Sequence, residues 1–273
     1  MNAFSWIQVP GARLPCVLLR HASSTLPPLV FLHAGVTDHR LWQEQLAAFA
    51  AERTVLAYDR RGYGRAEIEV SGPFSHLQDL WAVMDGLDIE QAVLVGCSLG
   101  GRLALEAALD QPARVAGLFL VAPAMTGGPA PELTETETRL DEDIDAAEAS
   151  CDLKRTNEAL AALWLDGPTS PAGRVGGAAR ELFLDMDELM LRAAKPGTAI
   201  EAPAIWPRLE QVQAPTRVLW GDLDLAYFKP RCEAMAARIP DASRTVMRGA
   251  AHLPSLEAAP AFNAALAGFL ASL

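Results

Sequence analysis

Gly96-Cys97-Ser98-Leu99-Gly100-Gly101 sets a serine between glycines at the seam of two patterns. The apolar run Ala92-Val93-Leu94-Val95 before it suits a strand buried on both faces, and the Ala- and Leu-rich stretch after it suits a helix. A strand that passes directly into a helix needs a very tight turn. There Ser98 takes strained backbone and exposes its hydroxyl, while Gly96 and Gly100 keep Cβ atoms out of the crossing. The helix start adds unpaired N–H groups and a positive dipole end beside that hydroxyl, which suits a developing oxyanion. The implied chemistry is attack by a serine nucleophile. A dinucleotide loop would require Gly-x-Gly-x-x-Gly, and here the glycine after Gly96 falls four positions on.

A serine nucleophile needs a base, a group to orient it and a cradle for the oxyanion. His252 lies in Gly249-Ala250-Ala251-His252-Leu253-Pro254, after a strand-like run at 243–248 and before a C-terminal helix from about Ser255. A loop there returns a histidine to the serine across the crevice. Gly221-Asp222-Leu223-Asp224 follows the apolar run 216–220, and on the residues alone either aspartate could orient the histidine or be a plain turn residue. His33-Ala34-Gly35-Val36 leaves the apolar run 29–32, and a glycine loop at the end of a central strand can aim a backbone N–H at the crevice, which makes Gly35 a candidate oxyanion donor. His33 itself reads as a hydrogen-bonded structural residue, and the charges of Asp59-Arg60-Arg61-Gly62-Tyr63-Gly64 read as structural ion pairs.

The elements that must position these residues alternate between strand and helix. Residues 4–9 and 14–20, split by Pro10-Gly11, read as an entering hairpin. Runs at 29–32, 54–58, 92–95, 115–122, 216–220 and 243–248 read as strands, with helical periodicity near 41–51, 75–87 and after Ser98. Such alternation implies a mostly parallel sheet covered by helices on both faces. From 126 to 207 there is no convincing strand, only a Gly/Pro patch, an acidic run (Glu132, Glu135, Glu137, Asp141, Glu142, Asp143, Asp145, Glu148) and helical segments around 160–165 and 178–194. The expected organisation is therefore a core of residues 1–125 and 208–273 with a helical cap at 126–207, a lid over the strand ends. The acidic run reads as a solvated helix face. Trp164, Met186 and Met190 sit at helical spacing, as pocket roof or as plain packing.

Composition narrows the classes. A net charge of −11 and a pI near 4.9 leave no basic surface for nucleic acid. No run approaches the ~20 apolar residues of a membrane span, and the first fifteen residues lack a basic start and an apolar core, so neither membrane insertion nor secretion is expected. Cys16, Cys97, Cys151 and Cys232 show no paired spacing and read as reduced cysteines of a cytoplasmic protein, without a disulfide frame or zinc site.

Taken together, the loop His33-Ala34-Gly35, the turn Asp59 to Gly64, the elbow Gly96 to Gly101, the turn Gly221 to Asp224 and the stretch Ala251-His252-Leu253-Pro254-Ser255-Leu256-Glu257 resemble the α/β-hydrolase superfamily, in its order Ser, Asp, His. The resemblance covers nearly all of the chain outside 126–207. It implies Ser98 as nucleophile, His252 as general base and acid, and Asp224 rather than Asp222 as the orienting acid. It also implies an oxyanion hole from the N–H of Leu99 and one from the Gly35 loop. Relatives that use an elbow aspartate, the haloalkane dehalogenases and epoxide hydrolases, are set aside by Ser98. Those that cleave carbon–carbon bonds commonly carry a tryptophan where Leu253 stands. The histidine loop, the chain length and the insertion look most like enol-lactonases such as 3-oxoadipate enol-lactonase and like carboxylesterases. The expectation is hydrolysis of a small-molecule ester or lactone with neither metal nor cofactor, and a rate that rises with pH as the imidazole loses its proton. A cofactor-free haloperoxidase or perhydrolase, or a non-catalytic ligand-binding protein on the same fold, is the alternative.

Overall fold

The structure, a computed structural model, describes residues 3–273, with side chains from Ser5 onward; Met1 and Asn2, where the expected core begins, lie outside the described residues. The chain opens with the hairpin β1 (Ala3–Val9) and β2 (Ala12–Leu19), turned at Pro10-Gly11. Then β3 (Leu29–Leu32), α1 (Gln43–Phe49), β4 (Val55–Tyr58), the two-residue β5 (Glu67–Ile68), α2 (His76–Gly86), β6 (Ala92–Cys97), α3 (Leu99–Asp110) and β7 (Val115–Val121) follow. Next come α4 (Glu135–Ala149), α5 (Leu153–Leu160), a π-helical turn (Ala161–Asp166) and α6 (Gly177–Arg192). The chain closes with β8 (Thr216–Gly221), α7 (Phe228–Arg238), β9 (Ala242–Met247), the short α8 (Pro254–Glu257) and α9 (Ala259–Leu270).

Among the described residues the strands form one sheet in the order β1-β2-β4-β3-β6-β7-β8-β9, with β5 pairing on β2. The pairs from β4 through β9 are parallel, and those made by β2 are antiparallel. Every residue of β3, β4 and β6 is buried, as continuous apolar runs covered on both faces must be. Phe31, Trp42, Phe119 and Phe262 stack through the core at centroid spacings of 5.2 to 5.9 Å, joining α9 to the sheet. The register then matters for function. Leu32 pairs with Gly96, Cys97 with Val121, Val121 with Leu219, and Gly221 with Met247, so the loops leaving β3, β6, β8 and β9 emerge along one edge of the sheet.

Between β7 and β8 the chain is helical, and among the described residues its one sheet-like contact is an isolated bridge from Ala199 to Phe74. The acidic run corresponds to α4, but it is not wholly a solvated face. Glu137 is buried: it closes a capping box with Thr134, and its other oxygen accepts from the N–H of Ala226 at 2.6 Å. No described helix is long and apolar enough to cross a membrane.

Candidate active site

Ser98 stands between β6 and α3 at φ 52°, ψ −115°, a left-handed φ that costs a non-glycine residue about 1–2 kcal/mol. Backbone bonds hold it there. Its N–H donates to Val121 O at 2.9 Å, and its C=O accepts from the N–H groups of Arg102 at 2.9 Å and Ala124 at 3.0 Å. The turn is closed so tightly that a Cβ on Gly96 would run into Gly100 O, and one on Gly100 into Leu32 O. The trans peptide supplies the next step. With the Ser98 carbonyl tied back by two donors, the N–H of Leu99, on the same peptide plane, points the opposite way.

The Gly35 loop repeats the device. Ala34 O accepts from His33 Nδ1 at 2.8 Å, Arg60 Nη2 at 3.2 Å and Thr37 Oγ1 at 3.4 Å, so the N–H of Gly35 is turned away from all three. A Cβ on Gly35 would lie 2.8 Å from Leu99 Cδ1, which puts the two candidate donor residues in contact. His33 is structural, as its sequence context indicates. Burial first, and the Arg60 charge next, hold its pKa well below the ordinary histidine value. The neutral ring donates from Nδ1 and accepts the Arg60 N–H at Nε2, at 3.1 Å.

The histidine loop after β9 meets the elbow: the Cys97 thiol donates to His252 O at 3.5 Å. His252 is fully buried, and its Nδ1 lies 2.8 Å from Asp224 Oδ2, while Asp224 Oδ1 accepts from the N–H of Leu225 at 2.8 Å. With Nδ1–H donating to the carboxylate, Nε2 carries the free lone pair, and it is buried with no hydrogen-bond partner among the described residues. The structure thus joins His252 to Asp224 and brings their loop to the residue before Ser98, but no hydrogen bond links Ser98 to His252 among the described residues. Asp222 does other work. Its Oδ1 accepts from the N–H of Gly249 at 2.6 Å and ties the acid turn to the histidine loop.

Residues outside the motifs complete the surroundings. Trp164, on the π-helical turn, and Phe228, at the start of α7, hold their rings 4.6 and 4.8 Å from that of His252. Met186 is buried, Met190 half-buried. Glu257 is the residue that sequence reading missed: one oxygen accepts from the N–H of Ala251 at 2.8 Å, the other from the N–H of Leu253 at 3.0 Å. It grips the chain on both sides of His252. Its own counter-ion is Arg174 at 2.5 Å, which also donates to the carbonyls of Leu165, Asp166 and Gly249. The detectable signal was a carboxylate placed four residues after Leu253 at a helix start, where it can cap backwards.

The turn after β4 is structural at Asp59 and Arg61. Asp59 accepts from His39, through its N–H at 2.9 Å and Nδ1 at 2.6 Å, and from the N–H of Arg65 at 2.8 Å; Arg61 makes a buried pair with Asp79 at 2.8 Å. Asp38, His39 and Asp59 could bring donor atoms within 4.8 Å of one another, yet Asp38 is engaged by Arg40 and Asp59 by the bonds just named.

Residues 27–147 match a family model described as alpha/beta hydrolase fold. The solved structure of a hydrolase from Pseudomonas aeruginosa PA01 is 25% identical and superposes at a TM-score of 0.77, over 98% of both chains. The chain has the α/β-hydrolase fold. Another solved α/β-hydrolase relative, an N-acyl homoserine lactone degrading enzyme, is 26% identical with a TM-score of 0.75, over 97% of this chain and 100% of that one. By sequence the chain is similar to 3-oxoadipate enol-lactonase 1 of Acinetobacter baylyi, 37% identical over 89 residues, which are 32% of this chain and 34% of the relative. It is likewise similar to 2-hydroxymuconate semialdehyde hydrolase of a Pseudomonas strain, 36% identical over 120 residues, 41% of this chain and 42% of that one. The chain thus spans well under half the length of these two curated relatives.

Proposed function

We propose that this α/β-hydrolase is a serine hydrolase that cleaves a small-molecule carboxylic ester or lactone through an acyl-enzyme. The observation that carries the reading is the buried Asp224–His252 pair at 2.8 Å, whose Nε2 has no hydrogen-bond partner among the described residues, set on a loop that abuts a serine on strained backbone. His252 removes the proton of Ser98, and Oγ attacks the carbonyl carbon. The oxyanion accepts from the N–H groups of Leu99 and Gly35, which the anchored carbonyls of Ser98 and Ala34, on the same peptide planes, aim in advance. The imidazolium, steadied by Asp224, returns its proton to the leaving oxygen, and water activated by the same Nε2 releases the acid.

We assign the helical segment 126–207 as a cap. Its support is contact with the loops that carry the site: Trp164 lies on His252, Arg174 on Glu257 and Glu137 on Ala226. The relatives named for lactone substrates support the substrate class.

A fluorophosphonate probe tests the reading. Stoichiometric labelling at Ser98, lost in Ser98→Ala and accompanied by hydrolysis of short-chain p-nitrophenyl esters, is the expected result. A folded protein that neither labels nor hydrolyses would overturn it and favour a ligand-binding role on this fold.

A further inference from the structure

Beside the candidate oxyanion hole lies a cavity of about 160 Å³, room for about five water-sized groups, with Leu99, Arg60, His76 and Arg102 among its walls. Leu99 is the residue whose N–H faces the reacting carbonyl in the reading above, so the cavity and the candidate site share one wall residue, while Ser98 and His252 do not line the cavity.

Its charges are unequally matched. Arg102 is neutralised by Glu106, at 2.7 Å, and by Glu201, both of which also line the cavity. Arg60 is different. It is 2% exposed, yet among the described residues no carboxylate lies within ion-pair distance of it. One of its nitrogens, Nη2, donates to the carbonyls of His33 and Ala34; the guanidinium lies 4.6 Å from the Tyr63 ring, and Nε is buried without a hydrogen-bond partner among the described residues. His76 adds a second orphan, a buried Nδ1 with no hydrogen-bond partner among the described residues. Burying an unpaired cation is costly, and an unfilled donor beside it adds to the cost, unless an anion arrives to meet both.

We propose that this cavity is a carboxylate subsite: Arg60 and His76 bind an anionic arm of the ester or lactone whose carbonyl Ser98 attacks. The proposal rests on the serine-hydrolase reading. A carboxylate fits better than a phosphate monoester. The two arginines and two glutamates of the walls balance in sum, but both glutamates lie on Arg102; Arg60 alone is left without a direct carboxylate partner, the glutamates oppose a second negative charge, and the volume suits a short arm ending in a planar two-oxygen group. His76 suits the role as a neutral donor. Burial first, then the charges of Arg60, Arg61 and Arg102, push its pKa down to about 3, so the ring is uncharged, and in its Nδ1–H tautomer it would donate to the anion.

The test uses a matched pair, mono-p-nitrophenyl glutarate and p-nitrophenyl valerate, which differ in carrying or lacking a carboxylate at the end of the acyl arm. The wild-type chain is expected to favour the glutarate in kcat/KM by about tenfold or more. Because Arg60 also braces the loop of Gly35, Arg60→Met will slow both esters, and the readout is their ratio, which should fall to about one. Arg60→Lys, which keeps the charge, should restore part of the preference. Equal kcat/KM values for the two esters in a wild-type chain that labels at Ser98 would overturn the subsite and leave the hydrolase reading intact. Should the chain not label at all, titration with free glutarate followed at the His76 ring by NMR decides the subsite separately. A saturable shift lost in Arg60→Met supports it, and no shift at tens of millimolar overturns it.

Discussion

Asp187 offers a prediction whose size can be worked from the structure. It sits on the buried face of α6 with Phe183 and Met186, and neither carboxyl oxygen has a hydrogen-bond partner among the described residues. Burial, and secondarily the charge of Glu148, raises its pKa from 3.8 to about 8. At neutral pH the folded chain therefore holds this carboxyl protonated, whereas the unfolded chain releases the proton. Linkage gives the sign. A raised acid contributes stability that is complete below its ordinary pKa and is lost as pH climbs toward its folded value, at about 1.4 kcal/mol per pH unit. Across the three units between the ordinary value and neutrality the loss is ~4 kcal/mol. Asp187→Asn keeps the shape and cannot ionise, while its new amide N–H groups, left unpaired, cost ~1–2 kcal/mol. The variant should then be more stable than wild type by ~2–3 kcal/mol at neutral pH and no more stable at pH ~4. Urea unfolding from pH ~4 to ~9 reads this directly as a difference that grows with pH and levels off near the folded pKa. A difference between the two proteins that stays constant over that range would refute the reasoning.

Other perturbations bear on the site. Ser98→Ala, His252→Ala and Asp224→Asn should each lower turnover of a p-nitrophenyl ester by about 10⁴-fold, and a Ser98/His252 double variant should lose little more, because the members act as a unit. Full activity in Asp224→Asn beside an inactive Asp222→Asn would reassign the acid. Gly100→Ala drives a methyl into Leu32 O and should cost more than about 3 kcal/mol in urea unfolding. Glu257→Gln offers one acceptor where two N–H groups and Arg174 now find a carboxylate; it should slow fluorophosphonate labelling of Ser98 and lower kcat by about tenfold or more, with KM little changed.

The interior strands were readable because burial on both faces leaves a continuous apolar run, which is why the runs at 29–32 and 115–122 match β3 and β7 to within a residue, and the run 92–95 is the apolar part of β6, which continues through Gly96 and Cys97. The elbow was readable because a strand, Gly-x-Ser-x-Gly and a helix in immediate succession admit few backbone paths. What escaped was decided by tertiary surroundings. Helix α7, with Lys229, Pro230 and Arg231 in its first turn, carries too weak an apolar stripe to stand out. Residue β5 pairing is two residues long. Glu137 reads like its acidic neighbours, and what separates it from them is its capping box with Thr134 and the N–H of Ala226, supplied from 89 positions away. The choice between Asp222 and Asp224 was open on the residues alone, since both are short acids in one turn. Their bonds to Gly249 and to His252 divide the work between them. Arg60 shared a charged turn with Arg61, but Arg61 has Asp79 to meet it and Arg60 has no carboxylate within ion-pair distance among the described residues.

The grip of Glu257 on the chain around His252 is itself completed by Arg174, a residue of the helical segment. This limits how freely that segment can be exchanged between proteins of this architecture. A graft that replaced 126–207 with a foreign insertion of equal length, but without a cation at the position of Arg174, would leave a buried carboxylate without its counter-ion next to the imidazole of His252. The recipient would lose the hold on the chain around His252 before any question of substrate fit arose, and a transplanted segment would have to carry the arginine with it.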